Sequence, residues 1–168
     1  MEIENPQVVF YENGKIINNM FTTFEKFYKK GLNITYSGVI LDVKSKNRLL
    51  TNFIYNDADF AGWKILADHM TICMGELPEH IKRYWLEEEV ELIATELGIS
   101  DKAIAVKVEG FFNIVKSTKD LDDDIVRFPH ITLAINPIDA KPVDSNFITD
   151  WQKIEPLKLR GTVEEIQI

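Results

Sequence analysis

At 168 residues, with 45% apolar and 27% charged content, the chain is sized and composed for one globular domain. Its single cysteine, Cys73, excludes an internal disulfide framework and fits a reducing compartment. The formal charge of −8 argues against a grip on long duplex nucleic acid, which takes a broad Lys and Arg footprint; it favours a small or terminal phosphate partner.

The first six residues, Met1 to Pro6, are acidic where a secretory signal would be basic and then apolar. No apolar run approaches bilayer length, so no membrane partner is expected. The expected location is the cytoplasm of a cell, or of a host if the source is viral. Gln7 to Glu12 reads as a short strand closed by an Asn13-Gly14 turn. Ile16, Ile17, Met20, Phe21, Phe24, Phe27 and Tyr28 then follow helical spacing up to Gly31. Residues 1–34 are thus an added strand and amphipathic helix in front of a core formed by residues 35–168, the whole being one domain.

Tyr36 to Leu41 alternates as a strand, and Asp42 is placed to cap a helix carrying Val43, Leu49, Leu50 and Phe53. Residues 56–64 form a polar loop in which Trp63 is a candidate for stacking on a base, or an anchor for the loop. Next comes His69-Met70-Thr71-Ile72. After it, 78–85 reads as a turn with a helical turn, and His80 there is a surface residue. Glu88 to Leu97 and Lys102 to Gly110 are strands joined like a hairpin through Gly98 to Asp101. Asp122, Asp123 and Asp124 are adjacent carboxylates without ion-binding spacing, so they read as solvated and no metal is assigned. Sixty-one residues after His69 stands a second copy of the first pattern, His130-Ile131-Thr132-Leu133. Lys141-Pro142-Val143 is a stiff turn, Ser145 can cap a helix bearing Phe147, Ile148 and Trp151, and Leu157 to Glu164 alternates as a closing strand.

Two of the three histidines therefore sit in one repeated frame. In a strand, alternate side chains share a face, so His69, Thr71 and Cys73 point opposite to Met70, Ile72 and Met74. Likewise His130, Thr132 and Ala134 oppose Ile131, Leu133 and Ile135. Each strand thus offers an imidazole and a hydroxyl on one face and a core on the other. Side by side, the two imidazoles supply one neutral base and one protonated acid near neutral pH, the pair that in-line attack on a phosphodiester requires. The hydroxyls of Thr71 and Thr132 donate to the non-bridging oxygens, where charge accumulates. Either histidine fits either role, and the chemistry needs no cofactor or metal.

The duplicated motif resembles that of the 2H phosphoesterase superfamily, which includes LigT-like RNA cyclic phosphodiesterases and the phosphodiesterase domain of fungal tRNA ligases. Tyr36-Ser37-Gly38-Val39, Gly98 to Lys102 and Lys141 to Asn146 are similar to LigT-like or tRNA-ligase-like stretches. The motifs stand closer together than in the best-known members, which implies shortened connections. The resemblance implies an α+β fold with two antiparallel-rich lobes around a central cleft and helices outside. It also implies a metal-independent phosphodiesterase opening a 2′,3′-cyclic phosphate or a related RNA-end phosphodiester. Cleavage of cyclic or 2′-5′-linked oligonucleotide messengers, as related viral proteins perform, is the alternative; a non-catalytic nucleotide-binding module is the third reading. Lys141 is nominated for a second phosphate contact and Tyr36 or Trp63 for base stacking. The expected partner is a nucleotide or a short RNA end, and the pattern leaves the oligomeric state open.

Overall fold

The computed structural model describes residues 33–110 and 128–167, together with residues 11–12 and 15–16. The chain divides into two compact units, Met1–Asn33 and Ile34–Ile168. In the first, β1 (Tyr11–Glu12) pairs antiparallel with β2 (Lys15–Ile16) across the expected turn position. Ile16 therefore belongs to a strand and not to the start of a helix. The remainder of the expected amphipathic helix, and the three aspartates at 122–124, lie outside the described residues.

The second unit contains β3 (Tyr36–Leu41), α1 (Val43–Phe53), β4 (Lys64–Ile65), β5 (His69–Met74) and α2 (Glu79–Trp85). It continues through β6 (Glu89–Ile99), β7 (Ala103–Gly110), β8 (His130–Ile135) and β9 (Trp151–Ile166). The class is α+β with a mostly antiparallel sheet, as expected. The arrangement differs from two lobes: β3, β5, β8, β7, β6 and β9 pair in that order and β9 returns to β3, closing one ring. Two features close it. The long β9 bridges β3 and β6, and β8 is hydrogen-bonded on both edges, so neither is left as an exposed edge strand.

Alternation explains what fills the ring. Val39, Met70, Ile72, Leu92, Val106, Ile131, Leu133, Leu159 and Val163 form one buried core, each such side chain stabilising by about 1.5–3 kcal/mol relative to exposure. Helix α1 adds Leu49 and Leu50 to it. The Asp42 carboxylate accepts from the Ser45 backbone N–H at 2.6 Å, capping α1 as expected. Val43 is exposed; Ser45 is buried instead, its hydroxyl accepting from the Arg160 backbone N–H at 2.8 Å.

Two irregularities shape the motif strand. Opposite the Ser37/Gly38 step, β5 carries one extra residue, and Gly38 has no Cβ because one would stand 2.6 Å from the Met70 carbonyl oxygen. Beyond that bulge the alternation inverts. Cys73 joins the core and Met74 turns outward, the reverse of the strict alternation expected. Before the motif, Ala67 adopts the left-handed φ of 54° while its N–H donates to the Thr132 carbonyl at 2.9 Å. Lys64 pairs with Ile135, yet Met70 pairs with Ile131, so two extra residues are absorbed around Ala67 and Asp68. Such bulges re-aim the side chain that follows, here His69.

A second cluster lies on the outer face of β7 and β8. Ala103, Ala105, Ile135 and Ile148 pack there beneath a 3-10 segment, Pro142–Phe147. Past the irregularity at Ile104/Ala105, Ala134 joins the core and Ile135 faces outward, the reverse of the alternation expected. The sequence-based helix with Ser145 at its cap is therefore replaced by a turn of 3-10 helix that has Lys141 at its cap and Ser145 within it, while Trp151 opens β9. Proline at the first position suits a helical start, and the run ends at Ile148 after six residues, the short length at which 3-10 geometry is common.

Candidate active site

The motif strands β5 and β8 meet at Met70 and Ile131. Antiparallel pairing about those two core residues sets His69 beside Thr132 and Thr71 beside His130. Directly opposed side chains of a sheet have Cβ atoms roughly 4.5–5.5 Å apart, and diagonal ones about 7–8 Å. The quartet is therefore a pseudo-symmetric patch in which each imidazole neighbours the other strand's hydroxyl. All four are half-buried, alternating with the fully buried Met70, Ile72, Ile131 and Leu133. By that alternation they stand on the outer surface of the barrel wall, in place of the expected cleft between lobes.

The surroundings orient each imidazole. Tyr36, on the neighbouring strand β3, stacks on His69 with ring centroids 4.7 Å apart and planes 28° apart. Burial, then the Asp68 and Glu164 carboxylates, push the Tyr36 phenol up, so it stays protonated. At the other end, His130 Nδ1 donates to the Phe128 carbonyl at 3.1 Å. Because a carbonyl only accepts, that nitrogen carries the hydrogen and Nε2 is left to gain or lose a proton. The Phe128 ring lies 5.1 Å from the imidazole and meets Trp151 edge-on at 5.7 Å. Lys107, the cross-strand partner of His130, holds its ammonium 4.5 Å from the Trp151 ring centroid and 3.0 Å from Glu96. Gly98 lets Trp151 lie against β6, where a Cβ would come within 2.6 Å of the indole ring.

Burial holds both imidazoles below the ordinary value of 6.5. For His69 the Asp68 carboxylate opposes that shift and the charge on His130 adds to it; for His130 the bond to Phe128 opposes it. The folded protein thus binds fewer protons at these rings than the unfolded chain does. Stability from this source is complete above pH 6.5 and is lost as pH falls through the depressed values. Urea unfolding at pH 5 and 7.5 should show an acid-side loss in the parent that shrinks when both histidines are replaced by alanine. An unchanged loss would assign the acid sensitivity to other groups. If catalysis needs one neutral and one charged ring, kcat/KM should be bell-shaped and centred on the acid side of 6.5. A profile flat from about pH 5 to 9 would separate these rings from the rate-determining step.

Of the other nominated residues, Tyr36 is brought to the quartet, with one ring face against His69. Trp63 is not. It packs half-buried against the barrel core and edge-on to Phe60 at 5.5 Å, so it anchors its loop. Lys141 is exposed, its backbone N–H donates to the Asp144 carboxylate at 2.7 Å, and among the described residues no interaction joins it to the quartet. His80 is exposed, as expected. Ser145, Lys107, Phe128 and Trp151 were missed as site residues. Phe128 had a legible signal, lying two positions before His130 at the entry to β8. The hydroxyl contact of Ser145 had none, because it bonds Thr132 across a loop.

Among the described residues no group of three or more His, Cys, Asp or Glu side chains is arranged to hold a metal. None of the described helices is long and apolar enough to cross a membrane. No protein-family model matches this chain, and none of the curated proteins matches its sequence.

Proposed function

We propose that this protein is a metal-independent phosphodiesterase of the 2H phosphoesterase type, opening a 2′,3′-cyclic phosphate or a related RNA-end phosphodiester. The observation that carries this reading is the register of β5 and β8, which pairs each motif imidazole with the other motif's hydroxyl. In the reaction, one neutral imidazole takes a proton from water as its oxygen bonds to phosphorus. The other, protonated, imidazole gives its proton to the ribose oxygen as the phosphorus–oxygen bond to it breaks. Thr71 and Thr132 donate to the non-bridging oxygens, whose charge rises in the transition state. The net result is one water consumed and one phosphomonoester formed, with the two rings exchanging protonation states before the next turnover.

A second reading draws on the aromatic rings at both ends of the quartet, Tyr36 against His69 and Phe128 beside His130. Rings on both sides suit a phosphodiester flanked by two nucleosides, as in a cyclic or 2′-5′-linked oligonucleotide. A panel of 2′,3′-cyclic mononucleotides, cyclic-phosphate-ended RNA and cyclic and 2′-5′-linked oligonucleotides decides between the two. Binding without turnover of any member would instead indicate a nucleotide-binding module. Turnover should persist in excess EDTA, since proton transfer and charge stabilisation come from side chains. Loss on chelation that a divalent ion restores would overturn the metal-free chemistry.

The hydroxyls have a graded expectation. Thr71→Ala and Thr132→Ala should each lower kcat by about 10–10³, up to the loss from one oxyanion donor. Thr→Ser at either position should recover most of that, because the hydroxyl survives; failure of the serine variants would point to the methyl groups instead.

A further inference from the structure

The two hydroxyls of the quartet differ in their surroundings. Thr132 Oγ1 lies 2.8 Å from Ser145 Oγ, whereas among the described residues no side chain or backbone group bonds the hydroxyl of Thr71. Ser145 is fully buried, one of three buried polar residues among the described residues, and Thr132 is its hydroxyl's described partner. The direction of this bond follows from burial. A hydroxyl has one proton and two lone pairs. If Ser145 accepted from Thr132, its own proton would be stranded in a dry site, and unpaired buried donors are the rarer and costlier case. Ser145 therefore donates, which leaves the proton of the half-exposed Thr132 free to point out of the wall.

The supporting structure keeps this contact in place. Ala103 and Ala105 are small enough for the 3-10 segment to settle on β7 and β8, Ile148 closes its far end, and the Ile148 N–H donates to the Ser145 carbonyl at 3.4 Å. Resting on the phosphodiesterase reading, we infer that Ser145 is a positioning residue: its hydroxyl donates to Thr132 and so commits the Thr132 proton to a substrate phosphate oxygen. Thr132 is then the donor set in advance, polarised by the bond it accepts, and Thr71 is the donor that adapts to the ligand.

The test is a set of double-mutant cycles read by inorganic phosphate binding in calorimetry and by turnover of a 2′,3′-cyclic mononucleotide, with thermal unfolding run on every variant. Ser145→Ala should weaken phosphate binding and lower kcat by roughly 3–15-fold, the usual worth of one hydrogen bond. On a Thr132→Ala background it should cost nothing further, while on a Thr71→Ala background the full loss should remain. Ser145→Cys, a weaker donor of similar size, should fall between parent and alanine, and it carries the cycle if the alanine variant does not fold. Equal losses on both threonine backgrounds, or no loss at all in the parent background, would overturn the relay. A parent that binds phosphate but turns over no panel member would overturn the reaction and leave the relay to the binding cycle. A parent that turns over substrate while Ser145→Ala matches it would overturn the relay alone, and one that neither binds phosphate nor turns over would overturn both.

Discussion

Replacing His69 or His130 by alanine should lower kcat by about 10²–10⁴, the usual worth of a positioned acid or base, while the fold survives. The expectation of survival comes from what each ring touches. His69 is half-buried and loses a stacked contact with Tyr36, of the order of 0.5–1.5 kcal/mol. His130 loses the bond from Nδ1 to the Phe128 carbonyl, about 0.5–1.5 kcal/mol. For a chain of this size, roughly 1 kcal/mol moves Tm by about 2–4 °C, so both variants should melt within several degrees of the parent. Because the rings act as a unit, the double variant should be little slower than the worse single one. Turnover and thermal unfolding measured side by side check this. Histidine variants that melt far below the parent, with activity falling only in proportion to folded protein, would make these residues structural and remove the basis of the enzyme reading.

Ile131→Ala should show the opposite pattern. Ile131 lies between His130 and Thr132 in sequence but points into the barrel, fully buried, and it is the residue at which β8 pairs with Met70. Truncation removes its packing and leaves a cavity, a loss of about 2–5 kcal/mol. That is a large fraction of the roughly 5–15 kcal/mol that holds a typical domain together, and it should depress Tm by roughly 4–20 °C. Below the new melting range, kcat per folded molecule should stay within a few-fold of the parent. An Ile131→Ala protein with an unchanged Tm and a loss of turnover equal to that of the histidine variants would mean that this strand does not separate core from chemistry by alternate positions.

Much of the candidate site was legible along the chain. A histidine and a threonine two positions apart must share a strand face, and the apolar residues between them must be buried. Burial alternates in that way at His69 to Ile72 and at His130 to Leu133. The strands from Tyr36 to Leu41 and along the closing segment, and the Asp42 cap of α1, were legible for the same reason: period and capping are local properties. Where the local pattern misled, a long-range partner had intervened. The bulge opposite Ser37 and Gly38 turned Cys73 into the core and Met74 out of it.

What the sequence by itself determined is therefore the α+β class, most of the strands, and which four motif side chains alternate with the buried core positions. Only the tertiary structure decided that β8 pairs on both edges, so that the strands close into one ring instead of two lobes. It alone decided that Met70 faces Ile131, the register that crosses each histidine with the other strand's threonine. It alone brought Ser145 to Thr132 and Tyr36 to His69, and held Trp63 against the core and Lys141 in solvent. The physical reason is the range of the forces. Periodicity and caps are set by neighbours within a few residues, while edge pairing, register and bulges are chosen by the joint packing of strands far apart in the chain, which no local window contains.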